Sequence, residues 1–266
     1  MVCLNCNNTY EGAYCPHCGQ SAKTKRLRLI EMINDFIGSF VGGDNKFLNT
    51  SVGLICRPGH LVREFLVGKR ARYYNPLQMF VFMLTIYAII SYLLGINTSI
   101  FDELGTLNLN EDVEPSKYAS VDFILEKLSE LTSDKLYGTL SIVLFSVLPY
   151  RWLFRKYRIA RPDGQELALN CTEQFYTQVF DSCTNMILST LMLPLCLIPG
   201  SDTVLSSIYY IAASVYTVVL YCQLLGIKWW KSIILNAVAM ILTVLFFALT
   251  LFLIAIFAGV VEGLSK

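Results

Sequence analysis

Hydrophobic residues are concentrated in five long stretches, at about residues 77–95, 138–154, 184–198, 204–225 and 233–261. A helix needs roughly 20 apolar residues to cross a hydrocarbon layer about 30 Å thick, because each residue advances it by about 1.5 Å. All five stretches approach or exceed this length, so they predict five membrane-spanning helices. The third is the shortest and contains two prolines, which is compatible with a kinked span whose helix begins before Cys183.

Two amphipathic segments precede the first predicted span. Apolar residues recur at helical spacing over 27–41, and the basic cluster just before them favours a helix on the inner leaflet over one docked on the bundle. A second helical piece over 47–67 must break near Arg57, since the following proline disfavours helix at that position. Gly68 is a natural stop for it. The pattern leaves open whether either segment lies on the membrane or enters it.

The loops carry weaker patterns. Residues 96–136 are acidic and include one further amphipathic stretch at 121–131. Asp163 and Glu166 have the spacing of a capping box, which predicts a helix from about Gly164 that runs on towards the third span. We find no internal repeat in the chain.

Composition supports a membrane location and charge sets the topology. The chain is 55% hydrophobic and 15% charged, whereas roughly a quarter of the residues of an average soluble domain are charged. Seventeen Lys and Arg residues fall on one side of the five predicted spans and four on the other. The positive-inside rule therefore predicts a cytosolic N-terminus and an external C-terminus. We expect no cleavable signal peptide and no nucleic-acid binding.

Four of the nine cysteines form two Cys-x2-Cys pairs: Cys3, Cys6, Cys15 and Cys18. Each pair can present two thiolates from a tight turn, and together they complete the tetrahedral set that structural Zn²⁺ prefers. Two disulfides are the alternative, but such bonds rarely persist in the reducing cytosol. His17 could replace a thiolate, although four already satisfy the metal. A segment this short needs the metal to fold, with Tyr10 and Tyr14 covering its hairpin.

Other polar positions are weaker candidates. Three cations stand beside two tyrosines just before the first span: Lys69, Arg70, Arg72, Tyr73 and Tyr74. Lys69, Arg70, Arg72 and Tyr73 fit contacts to anionic lipid headgroups or phosphate, the cations also fit topogenic anchors, and the two interpretations are compatible. Arg57, Glu173 and Asp181 are the remaining candidates for polar function, and solvation at a helix surface is the plainer interpretation of the last two. The chain contains no phosphate-binding glycine loop, HExxH or GxSxG motif.

Several of these features together resemble one protein family. The CLNC and YCPHCGQ motifs, Thr50 followed by Leu54 and the Arg57-Pro58-Gly59 triplet, and the GKRARYYNP segment are similar to the uncharacterised bacterial family DUF3667 over about the first 80 residues. The resemblance is looser over the remainder. It implies a helical protein of the bacterial cytoplasmic (inner) membrane with an N-terminal zinc ribbon. No activity is established for the family, so the resemblance implies no catalytic residue.

The predicted organisation is all-α: a cytosolic zinc ribbon over 1–22, a basic linker with interfacial helices over 23–76, and a polytopic bundle over 77–261. The favoured function is a non-enzymatic membrane component whose ribbon recruits or senses a cytosolic protein. The alternatives are a transporter of a lipid or uncharged solute, and a lipid-modifying enzyme that uses Arg70, Arg72 and Glu173. The expected surroundings are the lipid bilayer and its anionic headgroups. The oligomeric state is not predicted.

Overall fold

A computed structural model describes residues 1–22, 46–95, 135–160, 164, 166–198 and 202–264. The amphipathic helices predicted at 27–41 and 121–131 lie outside these residues. The described part is mainly helical, with helices α1 (Lys46–Cys56), α2 (Pro58–Val67), α3 (Pro76–Leu94), α4 (Lys135–Phe154), α5 (Cys171–Met192), α6 (Asp202–Leu225) and α7 (Trp229–Leu264). A 3₁₀ helix, Leu193–Leu197, follows α5. Strands β1 (Ile159–Ala160) and β2 (Glu166–Leu167) form a short antiparallel pair.

The predicted break between α1 and α2 is confirmed. Arg57 has a non-helical backbone, and Pro58 occupies the first position of α2, where its missing N–H costs nothing. Gly68 ends α2 in the left-handed conformation, with φ of 118°. Its N–H donates to the Phe65 carbonyl at 3.1 Å. A residue with a side chain adopts this conformation only with strain, which explains the glycine.

Four helical stretches are long and apolar enough to cross a membrane: Pro76–Leu94, Cys171–Leu197, Val204–Leu225 and Trp229–Ile254. The remaining predicted span corresponds to a shorter apolar stretch, Thr139–Phe154, within α4. Large apolar side chains along α6 and α7 are exposed, among them Ile211, Val215 and Phe257. An apolar surface of this extent is unfavourable in water and compatible with lipid.

The helix that contains the third predicted span begins at Cys171, which is before Cys183 as the kinked interpretation requires. Its regular α-helix ends at Met192, and the 3₁₀ turn that follows includes Pro194. The predicted helix start near Gly164 is wrong, because Glu166 pairs in β2 instead. A capping box does exist, but Asn170 and Glu173 form it.

Helix α5 is the centre of the bundle and packs against α3, α4 and α6. Helix α2 packs against α6, and α7 packs against α4 and α6. Phe65 of α2 joins this core through Tyr176 and Phe180, with ring centroids 5.7 and 5.3 Å away. The segment before the first span is therefore built into the bundle.

Candidate metal centre and buried polar seam

The first 22 residues consist of two copies of one small turn. In the first, Cys3 N–H donates to Asn8 O and Asn7 N–H to Cys3 O; in the second, Cys15 N–H donates to Gln20 O and Gly19 N–H to Cys15 O. All four distances are 2.9 Å. Asn7 and Gly19 both have positive φ, of 59° and 71°. The copies lie twelve positions apart, so this segment contains a short local repeat, and the expectation of no internal repeat is wrong here.

The two turns bring four sulfur atoms together. The Sγ atoms of Cys3, Cys6, Cys15 and Cys18 all lie within 4.8 Å of one another. The Cys3–Cys18 and Cys6–Cys15 pairs are 3.5 and 3.6 Å apart. Zn–S bonds of about 2.3 Å in a tetrahedron place sulfurs roughly 3.8 Å apart, whereas a disulfide requires about 2.05 Å. The four cysteines are free thiols and could hold a metal ion.

Two of the four cysteines have pKa values that are shifted in opposite directions. Burial raises the pKa of Cys18, but hydrogen bonds from the Asn5 side chain and the Gln20 backbone outweigh it and lower the pKa to about 6. For Cys6, a backbone hydrogen bond at Asn8 lowers the pKa, while burial and the three other sulfurs raise it to about 12. The cluster therefore shares protons unevenly, and a bound cation would displace them. Tyr10 is buried against the cysteines, but Tyr14 is 67% exposed, so only one of the two predicted tyrosines covers the site.

Gln20 joins the cysteine turns to the end of α2. Its side-chain Nε2 donates to Gly68 O at 2.8 Å, and its Oε1 accepts from Ala71 N–H at 2.8 Å. The Gln20 side chain is buried, being 4% exposed. Because its backbone carbonyl accepts from Cys15 N–H, one residue contacts both the cysteine turn and the turn after α2.

The basic segment after α2 uses part of its charge internally. Lys69 Nζ lies 3.5 Å from Glu64 Oε1, and the Tyr73 hydroxyl donates to Glu64 Oε2. The Arg70 guanidinium lies 5.9 Å from the Phe65 ring centroid. Arg57 and Arg72 are exposed. Among the cations predicted to contact lipid headgroups, Arg72 is therefore the one with no hydrogen bond, ion pair or ring contact among the described residues.

The same cluster shifts two pKa values. Burial raises the pKa of Glu64, but the Tyr73 hydroxyl and the Lys69 ammonium outweigh it, so this pKa lies below its usual value. Burial, followed by the hydrogen bond to Glu64, raises the pKa of Tyr73 to about 12. The pair therefore favours a carboxylate that accepts from a neutral phenol.

Glu173 and Asp181 are buried, so their interpretation as solvated helix-surface residues is wrong. Glu173 is 0% exposed, and its Oε2 accepts from Asn170 N–H at 2.9 Å. Asn170 Oδ1 in turn accepts from Glu173 N–H at 2.7 Å, which completes the capping box of α5. Asp181 is 9% exposed and lies between α5 and α6.

Asp181 is part of a polar seam, which we define as Gln174, Gln178, Asp181, Thr184 and Asn185 of α5 with Tyr216, Thr217 and Tyr221 of α6. The Tyr221 hydroxyl accepts from both Gln174 and Gln178, the latter at 3.0 Å. Thr184 Oγ1 lies 2.7 Å from the Tyr216 hydroxyl. Sequence reasoning missed the seam, although Gln174, Gln178, Asp181 and Asn185 recur at helical spacing and were visible as a polar stripe.

Residues 44–88 match the family model described as "Protein of unknown function (DUF3667)". The resemblance to this family is confirmed over this segment. No curated protein and no solved structure gave a significant match. The DUF3667 segment covers α1, α2 and most of α3, and the structure explains two of its motif residues. Thr50 Oγ1 accepts from Tyr74 N–H at 2.9 Å, which fixes the turn before α3. Gly59 N–H donates to Gln223 Oε1 of α6 at 3.1 Å.

Proposed function

We propose that this protein is a non-enzymatic membrane component whose N-terminal ribbon binds Zn²⁺ and recruits or senses a cytosolic protein. The observation that carries the proposal is the contact of Gln20 with both the Cys15 turn and the Gly68–Ala71 turn. Through this contact, a change in the ribbon reaches α2, which packs on the bundle. A ribbon that only anchored a metal would not need this buried attachment.

The donor set supports a structural metal. Four thiolates fill the tetrahedral coordination of Zn²⁺ and leave no open position for a substrate or a reactive water. The ion would hold the two turns together and supply the folding energy that a segment of this length cannot obtain from a hydrophobic core. The ribbon is therefore suited to binding a partner, and Val2 and Tyr14 offer exposed apolar surface for it.

The proposed setting is the bacterial cytoplasmic membrane, with the ribbon in the cytosol and five spans. Four of these spans are the long apolar stretches described above, and α4 is the additional one. Its 20 residues are about 30 Å long as a helix. Trp229 and Trp230 are exposed at the start of α7, as side chains at a membrane interface are. Basic residues lie beside these tryptophans, between α6 and α7, and around Arg151, between α4 and α5. They support a cytosolic location for both connecting segments.

Metal analysis and partner capture from native membranes test the proposal together. The full-length protein is expected to contain one Zn²⁺ per chain, and the Cys3→Ser, Cys15→Ser double variant to contain none. Cys56→Ser is the matched control, because Cys56 is exposed and outside the cluster. A cytosolic protein that copurifies with wild type and Cys56→Ser, but not with the double variant, supports recruitment. Metal-free wild type, or the same partners with all three proteins, contradicts it.

Transport of a lipid or uncharged solute is a second candidate, and the polar seam is the observation that favours it. Polar side chains between two candidate spans can contact a solute that the hydrocarbon excludes. The enzyme alternative loses support, because Glu173 uses its carboxylate to cap its own helix. Flux into liposomes that requires the protein, and that falls when Tyr221 is replaced by Phe, would support transport. Equal flux with empty liposomes would contradict it.

A further inference from the structure

Asp181 is a carboxyl group inside a candidate membrane span, close to the middle of the helical stretch Cys171–Leu197. Two side chains that can donate hydrogen bonds lie near its oxygen atoms. Thr217 Oγ1 lies 3.0 Å from Oδ1 and 3.3 Å from Oδ2, and Asn185 Nδ2 lies 3.5 Å from Oδ2. The first contact joins α5 to α6, and the second is a long one within α5.

No cation faces this carboxyl group within the described part of the chain. The titratable groups that interact with it are phenols and a thiol, which carry no charge when protonated. They are Tyr150 of α4, Cys183 of α5, and Tyr209, Tyr216 and Tyr221 of α6. An isolated charge at such a position is costly, and proteins avoid it by pairing or by neutralising the group. The described residues supply no cation to pair with this carboxylate, so binding of a proton is the simplest way to neutralise it.

The hydrogen-bond geometry around Thr217 accommodates a proton. Thr217 Oγ1 also lies 3.1 Å from Ala213 O, so its single hydrogen can point to Ala213 or to Asp181. With a proton on Asp181, the carboxyl O–H donates to Thr217 and the threonine O–H donates to Ala213. Without that proton, the threonine turns its hydrogen to the carboxylate. Both arrangements keep the hydrogen bond between Asp181 and Thr217 without moving either helix.

We propose that Asp181 is a proton-binding site within the membrane, at which proton uptake reverses the hydrogen bond between Asp181 of α5 and Thr217 of α6. The proton comes from water and forms an O–H bond to the carboxylate, and its release regenerates the anion. The inference stands on the seam alone and is independent of the proposed role of the ribbon. The Asn185 amide, whose Nδ2 lies 3.5 Å from Asp181 Oδ2, also has a buried Oδ1 with no hydrogen-bond partner among the described residues.

A proton fits this site better than a metal cation. Hard metal cations take their ligands from several oxygen atoms, about six or more for Mg²⁺ and Ca²⁺. Among the described contacts of Asp181, the Thr217 hydroxyl supplies the one oxygen atom within hydrogen-bond distance of the carboxylate. A proton needs only one acceptor besides the atom that carries it, and Thr217 supplies that acceptor.

Infrared spectroscopy of the full-length protein in lipid nanodiscs tests the proposal. A pH titration is expected to show a protonated-carboxyl C=O band that shifts in D₂O and is absent from Asp181→Asn. Glu166→Gln is the matched control, since Glu166 is an exposed carboxylate outside the spans, and it should retain the band. Thr217→Val should keep the band but shift its frequency, because the carboxyl group loses its hydrogen-bond partner. Thr217→Ser should restore the wild-type frequency.

Two outcomes overturn the proposal. The first is a band that is unchanged in Asp181→Asn, or missing from wild type throughout the titration. The second is loss of the wild-type band when Na⁺ replaces a large organic cation at constant pH and ionic strength, which would make the site a sodium site. Size-exclusion chromatography establishes that each variant is folded. Should Asp181→Asn fail this test, an identical band frequency in wild type and Thr217→Val would count against the site.

Discussion

Gly59 of α2 lies directly against the backbone of Leu220 in α6. A Cβ atom at residue 59 would come within 2.2 Å of the Leu220 carbonyl oxygen and 2.4 Å of the Leu224 nitrogen. Both atoms belong to a helix backbone and cannot move aside as the end of a side chain can. The two helices therefore reach this separation only because residue 59 has no side chain.

Replacing Gly59 by alanine is expected to destabilise the bundle by about 1–3 kcal/mol, the usual effect of overpacking a core, or more. The loss would appear as a lower midpoint of thermal unfolding in detergent. Gly53→Ala is the matched control. Its Cβ would meet the flexible Leu61 Cδ1 at 2.6 Å, and it makes the same Gly→Ala change within a helix. Equal losses in the two variants would show that α2 and α6 are not held this closely.

Removing the Gln20 side chain is expected to detach the cysteine turns from the end of α2 without loss of the bound metal. Gln20→Ala leaves the Ala71 N–H without its acceptor, at a cost of about 1–3 kcal/mol if this group stays buried. The Gly68 carbonyl keeps a hydrogen bond from Arg70 N–H at 2.9 Å. Hydrogen exchange of the Ala71 amide should accelerate, while the zinc content stays at one per chain. His17→Ala is the control, because His17 is exposed. Unchanged exchange at Ala71 would mean that the ribbon does not rest on this turn.

The Glu64–Tyr73 pair predicts a pH-dependent contribution to stability. The folded pKa of Glu64 is lowered, so its contribution is present above about pH 4.5 and is lost as the pH falls through the folded pKa. The folded pKa of Tyr73 is raised to about 12, so its contribution is present below about pH 10 and is lost as the pH rises towards 12. The effect is modest, because the Glu64 side chain is 30% exposed.

Tyr73→Phe tests this pair. Without the phenol hydroxyl, the Glu64 pKa should rise, and the acid limb of a plot of unfolding midpoint against pH should move to higher pH. Tyr74→Phe provides the control, since the described contacts of Tyr74 are through its ring and its backbone N–H. An acid limb that is the same in wild type and Tyr73→Phe would exclude the hydrogen bond as its cause.

The sequence predicted local features better than tertiary ones. The helix break at Arg57 and the stop at Gly68 depend on proline and glycine geometry within a few residues, and both are confirmed. The four cysteines were identified because each Cys-x2-Cys spacing defines its own turn. The contact of Gln20 with Gly68 joins residues 48 positions apart, and no local pattern indicates it.

The error at Glu173 and Asp181 has a different physical origin. Charged residues next to an apolar stretch are usually solvated, so the third span was placed after them. In the structure, helix α5 extends through both positions, Glu173 folds back onto Asn170 N–H, and Asp181 contacts the Thr217 hydroxyl of α6. The burial of Asp181 depends on this partner helix, which is why the sequence of α5 alone does not indicate it.

The capping box at the start of α5 should contribute measurably to stability. Asn170→Ala removes the side chain that accepts from Glu173 N–H, and loss of such a cap costs about 0.5–2 kcal/mol. Asn170→Asp retains an acceptor and should restore most of the loss, which thermal unfolding in detergent would measure. If the alanine and aspartate variants unfold at the same midpoint as wild type, the cap does not stabilise α5.

The location of the C-terminus follows from the number of spans. Four of the described apolar helical stretches are long enough to span the membrane. Whether α4 also crosses decides whether the number of spans is even or odd. If α4 crosses the membrane with the other four, a cytosolic ribbon requires an external C-terminus. A phosphatase reporter fused after residue 266, active only outside the cytosol, should then be active, while a reporter at the N-terminus should not. Truncation after α7 or after α6 gives an internal control, because activity should alternate between the two fusion points. A C-terminal reporter that is active only in the cytosol would mean that α4 does not cross, and that the predicted fifth span is wrong.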